Sequence, residues 1–436
     1  MPPGLGLPFR RELCYKGAGV RHRATPVHEE KGVGSMEHQS RIHGAFTFLP
    51  QERVIYGAGS LGQLVAELDR WGCQRAFLIT GMTVATKTDL LRQVQQLLGP
   101  RCVGVFYPMT QHVPREDVIA AAAQAREAKP DVLVSLGGGS PVDGTKAVSL
   151  CLAEGVVKAA DLDAYRVRGP RGMRFNPRYQ GQPLPHIAIT TTLSAGEFTG
   201  SFGITDKQRQ VKEGYGAPRF VPRIVILDPA LTVHTPAWLW ASTGLRAVDH
   251  AVERLYSRNH NPVVDTLCLQ ALRYLLAYLP AATHSPYDLE ARLYCQLGAW
   301  MSIIGFASVR TGISHAIGHQ LGGHCNVPHG QTSCIMLPHA MEFNLPVAAE
   351  RLALVAEAAG VETRGFSPEA AARAAIEHLR PFIKELGCPT RLREVGVQEA
   401  DFPHLAEAVM EEVPLMENPR SITGVSDVIA LLERAW

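Results

Sequence analysis

Residues 46–228 alternate short apolar, β-branched runs with helix-like stretches, and after Pro229 the short runs stop. That change of period constrains the fold more than any other feature. Residues 75–80, 103–107, 131–136, 186–190 and 223–227 read as buried strands. Residues 88–98, 114–128 and a stretch from Pro141 read as helices, with Glu116 and Asp117 in a first turn where the helix dipole favours acids. Such alternation builds an α/β layer architecture around a mostly parallel sheet. From Pro229 to Trp436, leucine, alanine and charged residues recur at helical spacing. The expected organisation is an extension over 1–41, an α/β domain over 42–228 and an all-helical domain over 229–436. The extension is rich in Gly, Pro, Arg and His, without apolar periodicity, and reads as disordered, with Met36 as an alternative start. It lacks a secretory apolar core, and Glu12, Glu29, Glu30 and Glu37 argue against a transit peptide. The connection over 154–185 carries Arg166, Arg168, Arg171, Arg174 and Arg178, and reads as a solvated loop.

A chain of 436 residues exceeds what one core usually serves, which agrees with two domains. The net charge of +2 gives no electrostatic case for nucleic acid or a membrane surface. The longest apolar stretch, 267–282, is interrupted by Gln270 and Arg273, too early for a membrane span. Nine scattered cysteines, odd in number and without a Cys-x-x-Cys pair, suggest reduced thiols and a cytoplasmic setting.

Residues 312–330 gather four of the seventeen histidines. His315 and His319 lie four apart and share a helical face. His324 and His329 follow on a stretch that Gly322, Gly323 and Pro328 are expected to break into a loop. His250 sits upstream on another predicted helix. Imidazoles collected from separate segments serve a metal, a proton relay or both. The alternative is a set of hydrogen-bonded core and surface histidines. Elsewhere, a strand runs into Gly137-Gly138-Gly139-Ser140 and a helix, an arrangement that suits a phosphate, because glycine lets N–H groups approach and the helix start is positive. Asp143 and Lys146 lie beside that turn. Thr190-Thr191-Thr192, after another strand, suits a second part of a nucleotide, and Gly57-Ala58-Gly59-Ser60 is a third tight turn. The usual Gly-x-Gly-x-x-Gly spacing is absent, and a purely steric role for the glycines stays open.

Taken together, Tyr56-Gly-Ala-Gly-Ser60, Gly137-Gly-Gly-Ser-Pro-Val-Asp-Gly-Thr-Lys146, Thr191-Thr-Leu-Ser-Ala-Gly-Glu197, Leu227-Asp-Pro-Ala-Leu231 and the 315–344 block resemble the iron-type (group III) alcohol dehydrogenase superfamily. The resemblance covers nearly all of residues 46–436. It implies the dehydroquinate synthase-like, iron-type alcohol dehydrogenase fold: a dinucleotide-binding α/β domain, a helical domain, a cleft between them, and a homodimer. In metal-holding members an Asp and a His one turn apart, with two later histidines, ligate the ion. By this resemblance the histidines fall on His250, His315 and His329, and the Asp position is Arg246. A guanidinium cannot coordinate a cation, and its fixed charge repels one. Asp249 stands one residue off the ligating face, which on a helix turns a side chain about 100° away. Loss of the carboxylate resembles the maleylacetate reductase branch, whose members work without metal. Thr110-Gln-His-Val-Pro114 and the basic stretch before Arg223 add to that likeness. Branch members usually carry a small polar residue in place of Arg246, however, and Pro328-His-Gly330 looks more like the alcohol dehydrogenase side.

These readings predict an NAD(P)H-dependent oxidoreductase that reduces the carbonyl of a small molecule, a keto acid of the maleylacetate kind, without metal. Arg246 supplies a fixed positive charge near the substrate oxygen or pairs with a substrate carboxylate. His319 is the expected proton relay, with His250, His315 and His329 beside the substrate. Gly137, Gly138, Gly139, Ser140, Asp143, Lys146, Thr191, Thr192 and Gly81 form the expected cofactor set. At Gly81 the family often has an Asp that binds the ribose and repels a 2′-phosphate, so its absence admits NADPH beside NADH. Alternatives are a metal-dependent alcohol dehydrogenase with Fe2+ or Zn2+ on His250, His315 and His329, a non-redox enzyme resembling dehydroquinate synthase, and a catalytically inactive binding protein. For Arg246 the alternative is a surface pair with Asp249 or Glu253.

Overall fold

The computed structural model describes residues 44–167, 177–209 and 211–436. The expected extension therefore lies outside the described residues, as do Arg168, Arg171 and Arg174. Strands form where aliphatic residues run together: β1 Arg53–Tyr56, β2 Ala76–Thr80, β3 Cys102–Phe106, β4 Val132–Gly137, β5 His186–Thr190, a hairpin of β6 Ser201–Asp206 and β7 Val211–Gly216, and β8 Ile224–Leu227. Six of them make one parallel sheet, in the order β1-β8-β5-β4-β2-β3. β2, β4, β5 and β8 are buried at every position, because helices cover both faces. The covering helices are α1 Leu64–Trp71, α2 Met82–Lys87, α3 Leu90–Leu98, α4 Arg115–Ala128 and α5 Gly139–Glu154. Alternation along β2 shows the two layers: Leu78 packs with Leu64, Leu68 and Val94, while Phe77 and Ile79 pack with Ala121, Ala125 and Val148.

Chain direction across the sheet reverses between β2 and β4. β3 lies to one side of β2, and β4, β5 and β8 extend to the other. In open α/β sheets a ligand crevice forms outside the carboxyl ends of strands at such a reversal. Gly81 follows β2 at that point, and the Gly137–Gly139 turn ends β4.

Beyond β8 the described residues hold no strand. They form α6 Ala237–Leu255, α7 Pro262–His284, α8 Leu289–Ile303, α9 Ile313–His324, α10 His329–Ala358, α11 Pro368–Glu385, α12 Phe402–Val409 and α13 Val425–Ala435. Asn261, Asp288 and Ser367 cap α7, α8 and α11 by accepting N–H bonds from the first turn. Val248, Ala251 and Val252 of α6 lie in one apolar core with Leu272 and Leu275 of α7 and with Leu337 and Met341 of α10. Among the described residues no helix is long and apolar enough to cross a membrane.

Three local expectations are corrected. Gly322 and Gly323 do not break α9, which runs to His324. They serve close approach instead: a Cβ at Gly322 would come within 2.6 Å of the His329 ring, and one at Gly323 within 3.2 Å of the Lys212 main-chain nitrogen. The β6–β7 hairpin was not expected, since Gly203, Gly214 and Gly216 break its apolar alternation. The start of the 154–185 connection is not a free loop either. It holds a 3-10 turn, Ala159–Tyr165, with Leu162 fully buried. Arg115 ion-pairs there with Asp163 and Glu213, and Arg166 lies 3.0 Å from Glu213.

Candidate active site

The nucleotide turn is built by two neighbouring strands. Gly137 ends β4 directly opposite Thr190 of β5, and the Thr191 N–H donates to the Gly137 carbonyl at 3.0 Å. This places Gly137, Gly138, Gly139 and Ser140 beside Thr191 and Thr192 at the crevice. Gly137 has φ of +136°, a conformation that side chains avoid. At Gly138 a Cβ would meet Thr192 Cγ2 at 2.9 Å, so only glycine keeps the two turns this close. α5 then begins at Gly139 and points its N-terminus at the crevice. A groove of main-chain N–H groups at a helix start fits the diphosphate of a nicotinamide dinucleotide. Asp143 accepts from the Gly203 N–H and so ties α5 to β6. Lys146, expected beside the phosphate turn, is fully buried and donates to the carbonyls of Gly196 at 2.7 Å and Ser201 at 2.9 Å. It fixes the 196–201 loop below the crevice. Gly81 presents no side chain after β2, and a Cβ there would make ordinary contact with the Met109 carbonyl at 3.4 Å.

The five expected catalytic residues converge from α6, α9 and the start of α10. The rings of His250 and His315 stack at 4.8 Å, His319 lies 6.5 Å from His315, and His329 lies 6.0 Å from His319. The orientation of His315 is set from behind. Its Nδ1–H donates to Glu253 at 2.7 Å, leaving Nε2 as the lone-pair nitrogen with no partner among the described residues. Glu253 in turn accepts main-chain N–H bonds from Gly312 and Ser314, each at 2.7 Å. Burial pushes Glu253 up to about 7 against those donors. Asp249 accepts from Ser314 Oγ at 2.9 Å and lies 3.4 Å from His315 Nδ1. It therefore stands behind the ring, as its offset along α6 suggests. Burial and the Glu253 charge push Asp249 well up. Asp249, Glu253 and His315 are one of two sets among the described residues with metal-capable spacing, their ligand atoms all within 4.8 Å. Burial lowers His250, His315 and His329 well below the usual histidine range, and the Arg246 charge lowers all three further.

Arg246 is therefore in the cleft. It donates to the His329 carbonyl and to Ser333 Oγ, both at 3.3 Å, and no carboxylate among the described residues lies within ion-pair distance. The expected alternative of a surface pair with Asp249 or Glu253 is not what forms. A second cation faces it: Lys212 of β7 donates to His329 Nε2 at 3.0 Å. Burial lowers both cations; Asp249, Glu253 and Asp143 oppose this at Arg246, and Asp143 opposes it at Lys212, which Arg246 lowers further. His112, from the segment before α4, sets its ring edge-on to His329 at 5.6 Å. Burial and then Lys212 push His112 down to about 4. His112 and Val113 hold positive φ of 64° and 56°, a strain that non-glycine residues carry mainly where a site requires it. His319 is partly exposed and its Nδ1–H donates to Glu412 at 3.1 Å, which joins the cleft to solvent.

Lys212, Ser314 and Ser333 carry no sequence signal, and Glu253 enters the sequence analysis only as an alternative surface partner of Arg246. A single lysine in a glycine-broken strand gives no signal. Glu253 was legible as four residues from Asp249 on one face of a helix.

The family profile of iron-containing alcohol dehydrogenases matches residues 50–229, and the C-terminal profile of the same family matches residues 240–436. The chain is 32% identical over 391 residues to the NAD-dependent methanol dehydrogenase of Bacillus methanolicus, covering 89% of this chain and 99% of that protein. It is 31% identical over 372 residues to maleylacetate reductase 1 of Cupriavidus pinatubonensis, covering 85% and 91%. The crystal structure of a 1,3-propanediol oxidoreductase superposes with a TM-score of 0.82 at 28% identity, covering 90% of this chain and all of that one. With its parallel sheet, crevice turn and converging histidines, the chain belongs to the iron-containing alcohol dehydrogenase family, and it is an NAD(P)-dependent oxidoreductase acting between CH–OH and C=O.

Proposed function

We propose that this protein reduces the carbonyl of an anionic substrate, a keto acid, with NADPH or NADH, and that it does so without a metal. One observation carries the reading: two cations, Arg246 and Lys212, face the histidine cleft with no carboxylate partner among the described residues. Asp249, Glu253 and Asp143 act on Arg246 only from beyond ion-pair distance, so a substrate carboxylate supplies the direct partner, and the planar fork of Arg246 suits it. The donor set does not fit a divalent cation. Arg246 stands where the family resemblance places a ligating carboxylate, and its charge acts on all three candidate imidazoles. Lys212 already uses the His329 Nε2 lone pair.

The nicotinamide, when bound in the crevice, supplies the hydride. The protein's own groups do the rest. Arg246 and Lys212 hold the carboxylate and bias the neighbouring carbonyl oxygen negative. His250 and His315, kept neutral by burial, line the cleft beside it. His319 passes the proton in from solvent, its ring held by Glu412. Gly81 favours acceptance of a 2′-phosphate because no carboxylate opposes it there. The maleylacetate reductase relative, similar over 85% of the chain, supports a keto acid as the substrate class. We further propose a cytoplasmic setting, in keeping with eight free cysteines among the described residues, and a homodimer, testable by light scattering.

A second reading, a metal-dependent alcohol dehydrogenase, draws on the buried nitrogens His250 Nδ1, His315 Nε2 and His329 Nδ1, which lack partners among the described residues. The reported relatives are dehydrogenases and a reductase, which favours either redox reading over a dehydroquinate synthase-like one. The test is a screen of keto acids and neutral aldehydes with NADPH and NADH, with and without chelator. Keto-acid reduction that survives chelation supports the first reading. Neutral alcohol turnover that needs added iron or zinc supports the second.

A further inference from the structure

The second metal-capable set lies outside the cleft, where α9 meets α12. α9 ends at His324, Cys325 follows as its C-cap, and Asp401 stands just before α12. His404 is three residues beyond Asp401, so both face the same side of that turn. The His324 Nε2 atom lies 3.5 Å from Asp401 Oδ1, and Cys325 Sγ lies 3.8 Å from Asp401 Oδ2. One ligand atom from each of the three residues falls within 4.8 Å of the others. The His404 ring is 4.5 Å from that of His324, tilted by 40°.

The His324–Asp401 spacing is long for a hydrogen bond, which for nitrogen donors centres near 2.9–3.0 Å, and the Cys325 thiol makes only a long contact to Asp401. Both spacings match something else. Zinc bonds of about 2.0–2.3 Å to N, O and S, arranged as a tetrahedron, set neighbouring ligand atoms about 3.3–3.8 Å apart. The charges agree as well: a carboxylate and a thiolate together balance a divalent ion. No Lys or Arg among the described residues pairs with Asp401, whose carboxylate otherwise accepts the Gln398 N–H. Sulfur, imidazole and carboxylate in one set suit a borderline-soft ion and not magnesium or calcium. From this geometry we infer that His324, Cys325 and Asp401 form a zinc-class cation site, separate from the catalytic cleft, with His404 beside His324 as the residue that would complete it. Binding through the thiolate would release the Cys325 proton. The ion would clamp the end of α9, which carries His315 and His319, to α12. It would also steady residues 325–328, which lead into His329.

The test uses the full chain, stripped by chelation and then loaded with zinc alone or with cobalt(II) alone. Elemental analysis counts the zinc, and near-ultraviolet absorption reports cobalt–thiolate bonding. The cleft histidine set contains no thiol, so the absorption band distinguishes the two places. The expected result is a thiolate band in the wild type that Cys325→Ser abolishes, together with the loss of one zinc per chain. His404→Ala should weaken zinc binding by at least the roughly 10–100-fold seen when even an outer partner of a metal ligand is removed. Zinc should raise the melting temperature of the wild type and leave that of Cys325→Ser unmoved. Absence of the band in the wild type, or a band and stoichiometry unchanged in Cys325→Ser, overturns the site.

Discussion

Replacing Lys212 by Met separates recognition of an anion from general catalysis in this cleft. The ammonium donates to His329 Nε2 at 3.0 Å and has no carboxylate partner among the described residues. Asp143, the acid that acts on it, keeps Lys146 at 3.6 Å, and the methionine chain fills the same half-buried space, so folding should hold. Two opposite charges 4 Å apart gain about 4 kcal/mol at an effective dielectric of 20, before the cost of desolvation. The net value of a hydrogen bond to a charged group is smaller, about 1.5–3 kcal/mol. That range converts to a loss of roughly 10–150-fold in kcat/KM at 1.36 kcal/mol per decade. The loss should appear with a keto acid and be absent, or within about threefold, with a neutral aldehyde of the same length. Steady-state oxidation of NADPH, followed by absorbance on both substrates, gives the ratio directly. Arg246→Met should behave alike, and the double variant should lose less than the sum if both cations hold one carboxylate. Equal losses on the acid and the neutral aldehyde would refute the assignment, because an effect blind to substrate charge cannot come from pairing with it.

Other outcomes follow from single contacts. Glu253→Gln removes the carboxylate that fixes His315 Nδ1–H, and kcat should fall roughly 10–100-fold with cofactor affinity unchanged by fluorescence titration. Gly138→Ala puts a Cβ 2.9 Å from Thr192 Cγ2 and should weaken nicotinamide cofactor binding at least about tenfold, which calorimetry would read. Gly81→Asp should lower kcat/KM for NADPH relative to NADH by about tenfold or more, since a carboxylate then faces the 2′-phosphate. His186 is buried beside Ser135 and pushed down by burial, then by Lys146, to about 3. Its unfolded form takes up a proton near pH 6.5 and its folded form does not, so stability is present above that pH and lost as pH falls towards 3. Between pH 7 and pH 5 this one histidine costs about 2 kcal/mol, and His186→Gln should flatten the urea-unfolding profile by that amount.

Much of this architecture was legible because the sheet is buried on both faces. Strands such as Ile187–Ile189 and Ile224–Leu227 stand out as uninterrupted aliphatic runs, and the glycines after β4 mark the crevice. The five catalytic candidates also lie near one another, and helix spacing alone puts His315 beside His319, and His250 one turn beyond Arg246. The hairpin was hidden for the opposite reason. β6 and β7 are half-exposed and broken by glycine, so no apolar alternation announces them. Lys212 was hidden with them, since its position over His329 goes with a close approach of β7 to Gly323. The continuation of α9 through two glycines shows the same limit. Glycine was read as a helix breaker, and here its missing side chain makes room for a neighbouring segment. Lys146 marks another limit: its sequence position beside the turn says nothing of its direction, which is inward to two carbonyls.

The most direct measurement pairs metal content with keto-acid reductase activity on one chelated sample. It is best made in the Cys325→Ser background, so that an ion outside the cleft does not enter the count. Activity that persists while elemental analysis finds far less than one transition metal per chain is the predicted result. Activity that vanishes on chelation and returns in proportion to iron or zinc taken up would contradict the claim that Arg246 and Lys212 supply the positive charge of this cleft.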